Sequence, residues 1–173
     1  YQSPGVSSKP ADPKTLIIQL PGILGNHSLA KELLDYAKIR GTRERSKPRV
    51  YGEGIVGAMN LYLDEGNTEA LGTAISREVS ESMVDALRLA KMYYSSSVRP
   101  TELGRAILSY RDRFNVTMQE LSRRIEITPG VIHHYKSVVR CLAPDLISKL
   151  DSNELTFKEA RAIADILDHK RQK

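Results

Sequence analysis

His133 and His134 stand side by side in the stretch Thr128-Pro-Gly-Val-Ile-His-His-Tyr-Lys-Ser137, with a hydroxyl four residues beyond the first of them. Imidazoles and hydroxyls can ligate metals, move protons or exchange hydrogen bonds with a polar target. Metal binding is disfavoured by spacing, because adjacent helical residues point about 100° apart and cannot close on one ion as an i, i+4 pair does. Nucleophilic catalysis is also disfavoured. The one cysteine, Cys141, sits among Val138, Val139 and Leu142 and reads as a small buried hydrophobe. The acidic residues show no paired-carboxylate logic beyond helix caps. No enzyme activity, metal or cofactor is therefore expected, and recognition through hydrogen bonds remains.

The elements that must position these residues are legible. Thr117-Met-Gln-Glu120 has the form of a capping box and opens a helix carrying Leu121 and Ile125 on its inward face. Thr128-Pro129 is a second start signal, a hydroxyl cap followed by proline at the first helical position. Ile132, Tyr135 and Val139 form the predicted buried stripe of that second helix, and Ser122 stands where a small residue lets the helices approach. Two short helices joined by about three residues are the helix-turn-helix pattern. Its turn usually holds glycine; here it holds Glu126, at about 1 kcal/mol for a left-handed non-glycine residue.

In that geometry the second helix enters the DNA major groove by its N-terminal part. The predicted base-reading residues are Thr128, Pro129, Gly130, His133, His134 and Ser137. Predicted phosphate contacts are Arg123, Arg124, Lys136, Arg140, Thr117 and Gln119, which set register without reading sequence. A secondary basic segment holds Arg43, Arg45, Lys47 and Arg49 around the single acid Glu44. The formal net charge of +5 agrees with a polyanionic partner.

Around this unit the chain reads as mainly α, a multi-helix domain containing a helix-turn-helix. Residues 1–14 are rich in Pro, Ser and Gly and read as a disordered lead-in. Thr15–Leu20 is either one short N-terminal strand or an apolar arm that docks elsewhere. Residues 15–97 form an N-terminal helical region for linker, partner or dimer contacts, and 98–173 the DNA-binding domain. A helix is predicted from Asn26 or Ser28 to before Gly41, another over Ile55–Leu63, and one long or two abutting helices over Thr68–Tyr94. The helix after Pro100 carries Leu103, Ile107, Leu108 and Tyr110 or Arg111. Ala143-Pro-Asp145 and Thr156, with Glu159 three residues on, open the last two. No stretch approaches the roughly 18 apolar residues of a membrane span, so a cytoplasmic, nucleoid- or plasmid-associated protein is expected. The sequence starts at Tyr1 rather than Met and ends in a basic run, so a flanking domain is also expected.

From about Val98 to Leu167 this order resembles the central DNA-binding domain of ParB-type partition proteins. The matching pieces are Arg99-Pro-Thr-Glu-Leu-Gly-Arg-Ala106, Thr117–Val139, Leu142-Ala-Pro-Asp145 and Asn153-Glu-Leu-Thr-Phe-Lys-Glu-Ala-Arg-Ala162. The last is the most specific, because an ordinary repressor need not carry it. The resemblance implies a homodimer on a centromere-like inverted repeat, working with a ParA-like ATPase to segregate DNA. Many members of that family also bind and hydrolyse CTP through an arginine-rich box. Here Tyr51-Gly-Glu-Gly-Ile-Val56 has Gly54 and Ile55 where the arginines would stand, which argues against a triphosphate site. A transcriptional repressor using the same motif is the alternative reading, and a CTP-dependent clamp a weaker one. Single-stranded RNA binding lacks an aromatic stacking platform.

Overall fold

The computed structural model describes residues 12–20, 26–40, 54–77, 80–167 and 169–172. Among them lie ten helices and no strand. They are α1 (Pro13–Gln19), α2 (His27–Arg40), α3 (Ile55–Glu65), α4 (Thr68–Ser76), α5 (Glu81–Tyr94), α6 (Pro100–Phe114), α7 (Met118–Ile125), α8 (Pro129–Cys141), α9 (Pro144–Asp151) and α10 (Phe157–Ala164). The mainly α class is as expected.

The strand reading of Thr15–Leu20 is corrected: the segment lies in and just after α1. Pro13 occupies the first turn with Asp12 before it, so the helix starts inside the stretch assigned to the lead-in. A short apolar run fits a strand or a helix by period alone. What decides here is the inward set Pro13, Leu16, Ile17 and Leu20, spaced three, four and seven apart, with Ile17 fully buried against the core. Residues 1–11 lie outside the described residues.

Local signals set most other boundaries. The Asn26 side chain accepts the Leu29 amide at 3.1 Å and caps α2. Gly66, at φ 70°, ends α3 in the left-handed conformation. The stretch 68–94 divides into α4 and α5, and the division follows Ser76 rather than Gly72, which stays inside α4. Thr156 and Glu159 make a complete capping box at α10, each side chain bonded to the other residue's backbone.

Helix α2 packs on α1 and α5, α3 on α4 and α5, and α6 on α5 and α8; α7 touches α3, α5 and α8, while α9 and α10 close on α6 and α8. The larger core runs without a break from Ile17 in α1 to Ile132 in α8 and takes in both sides of the Ser95–Ser97 turn. A second core gathers Val138, Leu142, Ala143, Leu146, Leu150, Ala160 and Ala164. Helix α8 therefore serves both, with Ile132 in one and Val138 in the other. Each fully buried aliphatic side chain of this kind contributes about 1.5–3 kcal/mol of transfer free energy.

Two polar rungs cross the apolar contact between α2 and α3. The Tyr36 hydroxyl donates to Asn60 Oδ1 at 2.7 Å, and one turn later Arg40 Nη2 donates to Asp64 Oδ1 at 2.6 Å. Rungs spaced one turn apart on both helices mean that α2 and α3 run side by side in the same direction.

Candidate nucleic-acid interface

Helices α7 and α8 are joined by residues 126–128. At the start of α7 the Thr117 hydroxyl accepts the Glu120 amide at 3.1 Å. The reciprocal half of the expected capping box is missing, because Glu120 Oε1 instead accepts from Arg124 Nη2 at 2.5 Å. At the other end Glu126 takes φ 55° and ψ 38°, the left-handed conformation that the glycine position of such a turn requires. Its carboxylate accepts a hydrogen bond from Asn60 Nδ2, reaching across from α3. Ser122 Oγ donates to the Ile127 carbonyl at 2.6 Å, so this small residue ties α7 to the far side of the turn.

The hydroxyl cap expected of Thr128 is not made; its side chain is exposed and bonds none of the α8 amides. Pro129 alone supplies the start, with its φ already near the helical value. The first turn of α8 is thus left without a side-chain cap. The buried stripe of α8 is also rotated from expectation. Ile132 and Val138 are fully buried, whereas Tyr135 and Val139 are half-buried. Tyr135 stacks on Phe157 of α10, with ring centroids 4.5 Å apart and planes at 22°.

The close approach of α6 and α8 depends on Gly104. A Cβ at that position would lie 2.6 Å from the Tyr135 carbonyl oxygen and would also overlap Val139 Cγ2. Only a residue without a side chain fits this contact. A glycine in mid-helix costs about 1 kcal/mol relative to alanine, and that cost was the available sequence signal for a packing role.

Among the predicted base-reading residues, Thr128, Pro129, Gly130 and His133 are exposed, and the Cβ position of Gly130 faces open space. Ser137 Oγ lies 3.3 Å from His133 Nε2, so these two share one face of α8. His134 is placed differently. It is half-buried, and its Nε2 lies 2.6 Å from Arg161 Nη2 of α10. Burial, the Arg161 charge and the neighbouring His133 push the His134 imidazole below its usual range, against a smaller upward pull from Asp165. The two imidazoles are 6.3 Å apart and tilted by 58°.

The predicted phosphate contacts also separate. Arg123, Arg140, Thr117 and Gln119 are exposed and Lys136 is half-exposed. Arg123, Lys136 and Arg140 form no ion pair or hydrogen bond with a described residue. Arg124 instead turns inward, donating to the Tyr110 hydroxyl at 3.1 Å as well as to Glu120. Tyr110 in turn donates to the Ser82 carbonyl at 2.9 Å, so Arg124 belongs to the α5–α6–α7 packing. Arg43, Arg45, Lys47 and Arg49 lie outside the described residues. So do residues 51–53 of the Tyr51–Val56 string, whereas Gly54 precedes α3 and Ile55 and Val56 are buried in it.

Sequence reasoning missed three residues that build the unit: Gly104, Asn60 and Arg161. The last two act over separations of 66 and 27 residues, and no local pattern announces them. Among the described residues no group of three or more His, Cys, Asp or Glu side chains is placed to hold a metal ion. No described helix is long and apolar enough to cross a membrane. Comparison with protein-family models, curated proteins and solved structures gives no match.

Proposed function

We propose that the chain binds double-stranded DNA through α7 and α8 acting as a helix-turn-helix, with the N-terminal half of α8 in the major groove. The observation that carries this reading is the charge of the 117–141 segment once its internal bonds are counted. Its two acids, Glu120 and Glu126, are both turned toward intramolecular donors. Arg123, Lys136 and Arg140 keep their positive charge for a partner, around an exposed and sterically open α8 N-terminus. Such a surface neutralises phosphates on either side of a groove while hydrogen-bonding groups meet base edges.

Within this reading His133 and Ser137 are the adaptable base contacts, each able to donate or accept. Thr128, Pro129 and Gly130 let the helix end approach the backbone. The resemblance of residues 98–167 to ParB-type proteins makes the biological task DNA partition: a homodimer on an inverted repeat, associated with the nucleoid or a plasmid and coupled to a ParA-like ATPase. The experiment is genome-wide mapping of bound DNA, followed by titration of the recovered site. One cluster of repeats supports partition, whereas sites scattered over promoters favour a repressor. His133→Ala is expected to weaken the recovered site more than random DNA. Equal loss on both removes the base-reading role.

A further inference from the structure

We propose that Arg161, on α10 and outside the two-helix unit, is a positioning residue of the reading face that fixes His134 as a neutral ring protonated on Nδ1. The proposal rests on the DNA-binding reading and specifies what one of its contacts can recognise. A guanidinium has donors only. With Arg161 Nη2 at 2.6 Å from His134 Nε2, that nitrogen must accept, and the ring proton must sit on Nδ1. A doubly protonated ring would set two N–H groups and two positive charges against each other. The charged and titratable groups around His134 are Arg161 from α10, Asp165 directly after that helix and His133 from α8 itself. Arg161 and His133 both disfavour a second proton, and Asp165 only partly offsets them.

The arrangement does not hang on this one bond. The Tyr135–Phe157 stack beside it holds α10 on α8 independently. Arg161 is therefore free to act as an electrostatic and tautomeric constraint on a helix docked by other means. The consequence is selective. With Nε2 occupied, the ring group left to His134 is a donor, Nδ1–H, which can meet guanine O6 or N7, adenine N7, thymine O4 or a phosphate oxygen. It cannot accept from the amino groups of cytosine or adenine. His133, beside a hydroxyl able to take either role, carries no such restriction.

The test has two arms on the full chain. The first is a two-bond 1H–15N imidazole spectrum at neutral pH. His134 is expected to show the Nδ1–H pattern in the wild type and in Arg161→Lys, and to revert toward the commoner Nε2–H form in Arg161→Met. A wild-type His134 protonated on Nε2, or doubly protonated, overturns the proposal without any variant needing to fold. The second arm selects sites from a random duplex library. Arg161→Met is expected to relax discrimination about tenfold at one or two base pairs at an unchanged salt slope, with Arg161→Lys close to wild type. A uniform loss across sequences with a reduced slope makes Arg161 a phosphate contact and overturns its positioning role. A wild type that enriches no site removes the DNA-binding reading and the base preference with it, while the spectrum still reports the tautomer.

Discussion

Asn60 of α3 donates through Nδ2 to the carboxylate of Glu126, the left-handed residue between α7 and α8, and accepts from Tyr36 of α2 through its other amide atom. The departure from a turn glycine is thereby anchored: the side chain that makes the conformation costly also binds the turn to the N-terminal helices. Asn60 is fully buried. Asn60→Ala should lower unfolding free energy by about 2–3 kcal/mol, because it strips a buried partner from both neighbours. Glu126→Gly should be milder than Glu126→Ala by about 1 kcal/mol, since glycine removes the left-handed strain while both lose the Asn60 bond. Urea titrations of the three variants check the order. Equal losses for Gly and Ala would show that the turn is unstrained.

The α6–α8 contact predicts a severe defect from one added methyl group. Gly104→Ala should destabilise by about 2–3 kcal/mol through overpacking. Pairing it with Val139→Ala relieves the side-chain overlap but not the Tyr135 carbonyl at 2.6 Å. Rescue in the double variant should be partial. Full rescue by thermal melting would mean that the backbone contact is not limiting.

Arg123 and Arg124 are neighbours in sequence and should behave oppositely. Arg123→Ala is expected to leave the melting temperature unchanged and to lower the magnitude of the log K against log salt slope by about 1, equally on cognate and random DNA. Arg124→Ala removes donors from Tyr110 and Glu120 and should destabilise the fold by about 1–2 kcal/mol. Matched melts and salt titrations separate the two. A stability loss for Arg123 or a pure slope change for Arg124 would reverse the assignment.

An ion-pair network joins α2, α5 and α6. Lys91 Nζ is 2.6 Å and Arg88 Nε 3.3 Å from the Glu32 carboxylate, Arg88 reaches Asp85, and Arg113 bridges Asp85 and Glu81. Burial raises the Glu32 pKa, but the bonds and charges of Lys91 and Arg88 outweigh it and hold the carboxyl below its usual value of 4.5. A depressed carboxylate stabilises the fold above its unfolded pKa, and that contribution is lost as pH falls through the folded value. His134, also depressed from 6.5, acts in the same sense at higher pH: its contribution is complete above 6.5 and declines as pH falls below it. Stability should thus fall in two stages on acidification. Glu32→Gln should shrink the lower stage, leaving the part due to Glu159 in its capping box, at a cost of about 1 kcal/mol at neutral pH, with less in high salt. A lower stage unchanged from the wild type in that variant would contradict the assignment.

Most of what is local was legible in the sequence. Asn26, Thr117 and Thr156 act as caps, Pro100, Pro129 and Pro144 open their helices, and Gly66 closes one, because each signal and its target lie within a turn of one another. The α1 segment was ambiguous because a six-residue apolar run is too short for its period to decide. Thr128 has the composition of a cap and does not serve as one. The candidate site was half legible: its exposed members, His133, Gly130 and Arg123, follow from the motif. What happens to Arg124, His134 and Glu126 depends on Tyr110, Arg161 and Asn60, brought close only by tertiary packing. Propensity and spacing carry no record of such partners.

Gln172 closes the second core from outside it. Its Oε1 accepts the Ala143 amide at 2.8 Å, while Nε2 donates to the carbonyls of Cys141 at 2.9 Å and Ile166 at 2.5 Å. The Cys141 and Ala143 groups lie where α8 gives way to α9, yet the amide that satisfies them comes 29 positions after Ala143. During vectorial synthesis that junction leaves the ribosome unlatched and keeps water on its peptide groups until residue 172 has emerged. Maturation of the second core is therefore tied to the emergence of Gln172, whereas the packing of α1 through α7 can proceed before it.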